Sequence, residues 1–579
     1  MIKRLLGSVR QYKKASILSP VFVTLEVILE VLIPILMASL IDDGIEGGDM
    51  GYIWKVGMGL VAAALASLTF GVLSGKYAAD AAAGFARNLR RDMFYHVQRF
   101  SFSNIDKFST ASIITRLTTD VTNVQMAYMM VIRIAARAPA MIIFSLVMSF
   151  LINAEISLIL LGVVPVLGAG FYFIIRYVHP IFVRVFKRYD KLNNVVQENL
   201  RSIRVVKSFV REGHEEDKFG EVSQAIYKDF VRAEKIIAFN APIMQFCVYA
   251  CMLLISWVGA NLIVAGAMTT GDLVSLFSYV LMILMSLMLL SFVFVMVIIS
   301  RASAERISEL LDESSDLTNG DNPVLSVRDG SISFRNVDFS YAKKKDKLCL
   351  SGIDLDIRSG ETIGIIGGTG SSKTTLVQLI PRLYDVTGGL LRVGGVDVRD
   401  YDIETLRNTV AVVLQKNVLF SGTIRENLRW GNPDATDEEL EQACRLAQAD
   451  DFIRSFPDGY DTYIEQGGAN VSGGQKQRLC IARALLKKPK ILILDDSTSA
   501  VDTRTDSALR RAFREEIPDT TKLIIAQRIS SVSDADRIIV MEGGRIHAIG
   551  THDELLQSNT IYQEVYRSQM KGGDFDEAK

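Results

Sequence analysis

Between positions 367 and 375 the chain reads Gly367, Gly368, Thr369, Gly370, Ser371, Ser372, Lys373, Thr374, Thr375. An apolar run, Ile363 to Ile366, leads into it, and an apolar helical stretch starts at Leu376. Strand, small-residue loop and helix therefore come in the order that a phosphate-binding loop requires. Backbone amides and the helix N-terminus close around phosphate oxygens, Lys373 reaches the terminal phosphates, and the Thr374 hydroxyl is placed to ligate magnesium. Alone, such a loop says only that a nucleotide binds. Two further segments narrow the chemistry: Val471-Ser472-Gly473-Gly474-Gln475-Lys476-Gln477-Arg478, and the apolar run Ile491 to Leu494 that ends in Asp495.

With these three segments in one chain, the sequence resembles the ABC transporter ATPase family. Six apolar stretches in front of them make it similar to an exporter half-transporter. The resemblance implies ATP and Mg2+ as cofactors, with Asp495 and Gln415 at the magnesium beside Thr374, and Gln415 also sensing the γ-phosphate. It assigns Tyr341 to stacking on adenine, Ser499, Ala500, Val501 and Asp502 to communication across a dimer, and Ser472 to Gln475 to a signature that closes on the ATP of a second chain.

Departures from the family pattern fall on Ser372, Asp496 and Gln527, all serving one composite site. Ser372 stands where the family has Gly, which strains the loop if its torsions favour Gly. Asp496 replaces the water-polarising Glu and is shorter by one carbon, about 1.5 Å, so a general base loses reach. Gln527 replaces the switch His, and an amide carries no proton as imidazole does. The signature is intact. The expected reading is a site that binds ATP and barely turns over, within a heterodimer whose partner half-transporter carries the competent Glu and His. This pattern resembles the degenerate subunit of bacterial heterodimeric multidrug exporters. That similarity implies a prokaryotic cell membrane and amphipathic drugs or lipids as cargo. A regulatory protein or ATP-gated channel is the rival from another class, and a dedicated peptide or lipid exporter differs only in cargo; the lack of a peptidase domain before Met1 weakens the peptide version.

The elements that must position these residues follow from length and hydropathy. At 579 residues the chain exceeds one compact core. Nearly all long uncharged runs precede Ser300, and a mean hydropathy of +0.24 places that half in a membrane. A net charge of -1 gives no basic surface for nucleic acid. The cysteines lack metal-ligand spacing, although Cys247 and Cys251 lie one turn apart.

Spans of roughly 20 apolar residues are expected at about 16–41, 53–78, 135–153, 156–175, 236–265 and 273–300. Residues 42–52 carry Asp42, Asp43, Glu46 and Asp49, whereas the N-terminus and 79–133 carry Lys3, Arg4, Lys13, Lys14, Arg87, Arg90, Arg91 and Arg99. The positive-inside tendency then places both termini and the ATPase domain in the cytoplasm. The links 79–133 and 176–235 keep helical periodicity, as in Phe85, Leu89, Phe94 and Val97, and read as helices continuing into the cytoplasm. The fold class expected is therefore multidomain. An amphipathic helix over 1–15 lies on the membrane surface, an all-α six-helix domain occupies 16–311, a polar linker 312–323, and an α/β P-loop ATPase domain 324–579.

Glu26 and Glu30 share one face of the first span. Intramembrane carboxylates are costly, so they serve either as a site for cationic or amphipathic substrates or as partners of basic residues on another helix. Met282, Met285, Met288 and Met296 make the last span methionine-rich, which suits a promiscuous pocket but equally ordinary packing.

Overall fold

In the computed structural model, which describes residues 1–344, 347–497 and 501–573, six helices are long and apolar enough to cross a membrane: Ile2–Glu46, Met50–Val97, Thr110–Ile152, Ala154–Arg201, Glu212–Val264 and Thr270–Asp312. They belong to a unit formed by Met1–Gln98 and Ser109–Glu313. One set of connections is tight. Asp49 caps the second span by accepting from the Gly51 and Tyr52 amides, Asn153 alone separates the third from the fourth and caps it, and Thr269 opens the sixth in a capping box with Asp272. The opposite connections are long because the helices overrun the bilayer. Met50–Val97 has 48 residues, about 72 Å at 1.5 Å per residue against a hydrocarbon core near 30 Å. Two short helices, Phe102–Lys107 and Ile203–Ser208, mark where the chain reverses.

Packing inside this unit is apolar, with some buried hydroxyls bonded to helix carbonyls and others, Ser19 and Ser145, without a partner among the described residues. Val27, Val31, Met141 and Tyr279 form one buried cluster, with Met282 against it, and the Tyr279 hydroxyl donates to the Val31 carbonyl at 2.8 Å. Ile156, Leu160, Ile255, Leu276, Val280 and Ile283 form another, into which Cys251 is buried. Met285 and Met288 are exposed.

The first dozen residues do not form the single helix expected over 1–15. Ile2–Leu6 is helical, Gly7–Tyr12 is a tighter turn with Arg10 at a φ of 42°, and the long helix starts only at Lys13. Leu5 and Val9 point into protein while Ile2 and Leu6 stay exposed. The physical reason is polar: Ser8 donates to Asp92 at 2.9 Å, Asn88 donates to the Ser8 carbonyl at 2.9 Å, Arg10 pairs with Asp92, and Arg4 pairs with Asp312. These bonds tie the segment to other helices of its own unit.

The second unit comprises Arg99–Phe108 and the chain from Ser314 onward. A four-stranded antiparallel sheet runs in the order Leu350–Ile357, Ile332–Phe339, Gly388–Val393, Val396–Asp397. A six-stranded mixed sheet runs Arg545–Gly550, Arg537–Glu542, Thr362–Gly367, Thr521–Ile525, Ile491–Asp495, Val410–Val413. Its four inner neighbour pairs are parallel, from Arg537–Glu542 through to Val410–Val413. Strands buried on both faces read as continuous apolar runs, which is why Thr362–Gly367 and Ile491–Asp495 were visible in the sequence. Parallel order also brings their carboxyl ends to one edge, where open α/β sheets bind ligands.

Candidate functional site

The phosphate loop leaves the end of Thr362–Gly367, and Asp495 ends Ile491–Asp495 one strand beyond its neighbour Thr521–Ile525. Gly367 is required there, since a Cβ would sit 2.3 Å from the Met541 carbonyl oxygen. The helix Lys373–Gln378 starts directly after Ser372, whose φ of 67° and ψ of 28° are left-handed. A β-carbon costs about 1–2 kcal/mol in that region, so the torsions are those that favour glycine.

Lys373 Nζ donates to the carbonyls of Gly367 and Gly368, each at 2.8 Å, and to Ser371 Oγ at 3.2 Å. Burial pulls its pKa down, against the opposing pull of Asp495 and Asp496. Thr374 Oγ1 donates to Asp495 Oδ1 at 3.0 Å. Asp495 is buried, and that burial raises its pKa, with Asp496 pushing the same way and Thr374 and Lys373 opposing. A hydroxyl and a buried carboxylate brought together at the end of a phosphate loop are hard oxygen donors, which fit Mg2+. Among the described residues no group of three or more His, Cys, Asp or Glu gathers as an all-protein metal cage.

Asp496 follows at a φ of 47°. Its Oδ2 accepts from Gln527 Nε2 at 2.7 Å and from Gln415 Nε2 at 3.3 Å. The two replacements noted in the sequence are thus in contact, and the residue expected to sense the γ-phosphate bonds the same oxygen.

Tyr341 presents its ring at 46% exposure. It meets Phe339 edge-on at 4.8 Å and Tyr384 at 5.1 Å, and its hydroxyl lies 3.1 Å from Thr375 Oγ1. The exposed ring beside the loop is available for stacking. Ser472 is the N-cap of the helix Gly473–Leu486, accepting from the Gln475 amide while Gln475 Oε1 accepts from the Ser472 amide. Ser472 and Gly473 are exposed at that helix start and Gly474 is half-buried. Ser499 and Ala500 lie outside the described residues. Val501 is buried and its carbonyl accepts from Arg528, and Asp502 caps the helix Thr503–Glu516.

Sequence reasoning missed Tyr384. Its ring packs on Tyr341, its hydroxyl donates to Asp106 at 2.7 Å, and Phe102 lies 6.1 Å away, so the helix Phe102–Lys107 touches the ring beside the nucleotide loop. The same helix is held by Ser101 and Ser103, which donate to Asp316 at 2.5 and 2.8 Å. It also missed Arg137, which donates to Glu26 at 2.5 Å and to both oxygens of Glu30 at 2.8 and 2.7 Å. Of the two roles open to these carboxylates, the structure shows an ion pair with another helix.

Two family models match the chain: the ABC transporter transmembrane region over residues 16–288, and ABC transporter over residues 350–499. An uncharacterized ABC transporter ATP-binding protein, YfiB of Bacillus subtilis, is 36% identical over 98% of both chains. The putative multidrug export ATP-binding/permease protein YgaD of the same organism is 31% identical over 98% of this chain and 99% of its own. The ATP-dependent lipid A-core flippase of Desulfotalea psychrophila is 32% identical over 83% of this chain and 84% of its own. A solved structure of a bacterial Atm1-family ABC exporter with ATP bound superposes with a TM-score of 0.84, covering 96% of this chain and 99% of that one at 24% identity, which speaks for the fold. The phosphate loop, the carboxylate-ended strand and six spanning helices in front of them are thus the two domains of a multi-pass membrane protein, and the chain belongs to the ABC transporter family.

Proposed function

We propose that this chain is the degenerate-site half of a heterodimeric ATP-driven exporter that moves amphipathic drugs or lipids out of a bacterial cell. Export of such cargo is supported by relatives described as a putative multidrug exporter and a lipid A-core flippase. The observation that carries the asymmetric reading is the Gln527–Asp496 contact of 2.7 Å, with Gln415 on the same oxygen. Hydrolysis needs a base within hydrogen-bond reach of a water placed against the γ-phosphate. Asp496 is a carbon short, and two amide donors occupy one of its two oxygens. Such a carboxylate is a poor proton acceptor from water.

In this reading Lys373 gives up its bonds to the loop carbonyls for phosphate oxygens, and the loop amides hold the rest. Thr374, Gln415 and Asp495 hold Mg2+, which neutralises charge on the phosphates. Tyr341 stacks on adenine. The Ser472–Gln475 helix start, exposed at Ser472 and Gly473, closes on the ATP of a partner half-transporter that supplies its own Glu and His, and the positive-inside tendency favours both ATPase domains in the cytoplasm. The test is ATP turnover by the purified chain alone and with its partner subunit. The chain alone should bind ATP with Mg2+ and hydrolyse it slowly, whereas the pair should turn over; sustained turnover by the chain alone overturns the proposal.

A further inference from the structure

The membrane unit holds a second set of groups whose charges do not balance locally. Arg137 is shared by Glu26 and Glu30, so the triad carries one net negative charge. Its excess rests on Glu26 Oε2, which accepts no hydrogen bond among the described residues although Glu26 is only 8% exposed. One turn from Arg137 on the same helix lies Arg133, half-buried, with no hydrogen bond or ion pair among the described residues. Two glycines one turn apart on the helix Met50–Val97 make room for both orphaned groups. A Cβ on Gly71 would lie 3.0 Å from Glu26 Oε1, and one on Gly75 would lie 3.5, 3.6 and 3.7 Å from three guanidinium atoms of Arg133, so that group lies flat over the glycine.

We propose that Arg133 and the Glu26–Arg137–Glu30 triad together bind the head of a zwitterionic amphiphile, its anion on Arg133 and its cation toward the carboxylates. This rests on the reading of the chain as an exporter of amphipathic cargo. Ionisable groups within a span are costly and mark substrate pathways. Two carboxylates and two guanidinium groups sum to zero, so a net-neutral head with separated charges satisfies both orphans and leaves the site neutral. A purely anionic or purely cationic head leaves one uncompensated charge in a low-dielectric setting. The spacing suits such a head: Gly71 and Gly75, against which the two groups lie, are one turn apart with about 5–6 Å between their Cβ positions, comparable to the reach of an ammonium carried two or three carbons from a phosphate. Phe22 stacks between Phe70 at 6.1 Å and Tyr77 at 5.6 Å beside these glycines, giving apolar surface for the rest of the molecule.

The test uses the full-length protein in neutral detergent, with binding read by native mass spectrometry and no ATP present. The probes are three single-chain amphiphiles of equal tail length: lysophosphatidylethanolamine, lysophosphatidylglycerol and an alkyltrimethylammonium. The zwitterion should bind tightest. Losing one charge-assisted contact in R133Q should weaken it about ten- to a hundredfold, while R133K keeps most of the affinity. E26Q should move the preference toward the anionic probe. G75L displaces the guanidinium without touching any charge, and should copy R133Q even if the charge variants fold poorly. An unchanged order of heads in R133Q and G75L, or equal binding of all three probes to the native protein, overturns the proposal. The exporter reading fails separately, as intact binding without ATP-dependent movement of any head.

Discussion

Replacing Asp496 with Ala separates a structural role from a catalytic one. The substitution removes an acceptor that takes Gln527 at 2.7 Å and Gln415 at 3.3 Å. Hydrogen bonds to a charged group contribute about 1.5–3 kcal/mol each when fully formed, but Gln415 and Gln527 are exposed residues whose amides water can take over, and the longer bond is weak. The φ of 47° adds a small term, because Asp tolerates the left-handed region better than Ala. Together the loss is about 2 kcal/mol, or about 4–8 °C in the unfolding temperature of a domain this size. D496N keeps an acceptor oxygen and the tolerance of that φ, and should lose about half as much. Scanning calorimetry on the chain purified with its proposed partner reads both. Steady-state ATPase by the same samples should stay largely intact, whereas changing Ser472 or Gly473 should remove most of it and Lys373→Ala should fall between. If D496A abolishes turnover as completely as the Ser472 change, Asp496 is a working base and the degenerate-site reasoning is refuted.

Ser372→Gly relieves about 1–2 kcal/mol of left-handed strain and returns about 0.4–1 kcal/mol to the unfolded chain. A rise of between zero and about 1.6 kcal/mol, seen in a thermal shift, is the expected result, and a fall would mean that the serine side chain is held by something else. Replacing Glu26 and Glu30 together with Gln leaves Arg137 uncompensated inside a span, so the detergent-solubilised protein should lose thermal stability, with Arg137→Gln added to the pair restoring part of it. Asp316 supplies a pH test. Burial pushes its pKa up, but hydrogen bonds from Lys343, Ser101 and Ser103 outweigh that and hold it at about 2. Its contribution is therefore complete above the unfolded carboxylate value near 4, and is lost as the pH falls from there through about 2. Hydrogen exchange of residues 102–107 should speed up in acid relative to neighbouring helices, and D316N should already show faster exchange at neutral pH.

The spans were legible because hydropathy is a local property. Each helix needs about 20 apolar residues in a row, and its overrun continues the same periodicity. The inner strands were legible for the same reason, since burial on both faces writes an unbroken apolar run. What escaped notice depends on residues far apart in the chain. Glu26 and Glu30 were visible as a costly pair, but Arg137 lies 111 and 107 residues away and no spacing announces it. Gln415 and Gln527 were each noted for themselves, yet their meeting on Asp496 follows from strand order. The N-terminal segment has a sound helical pattern in Leu5 and Val9, yet it is broken at Arg10, where Ser8 and Arg10 bond to Asp92 and Asn88, partners that no local pattern announces.

That clasped N-terminus has a consequence for how the protein is made. Arg4 precedes its partner Asp312 by 308 residues. At about 5–20 residues per second the ribosome delivers the second member of the pair about 15–60 s after the first. Over that interval the membrane unit lengthens helix by helix with its opening segment unfastened at that end, so the last spanning helix acts as the closing clasp of assembly. Stalling synthesis before Asp312 should leave Arg4 open to a water-soluble cysteine reagent placed through R4C, and stalling well beyond it should not.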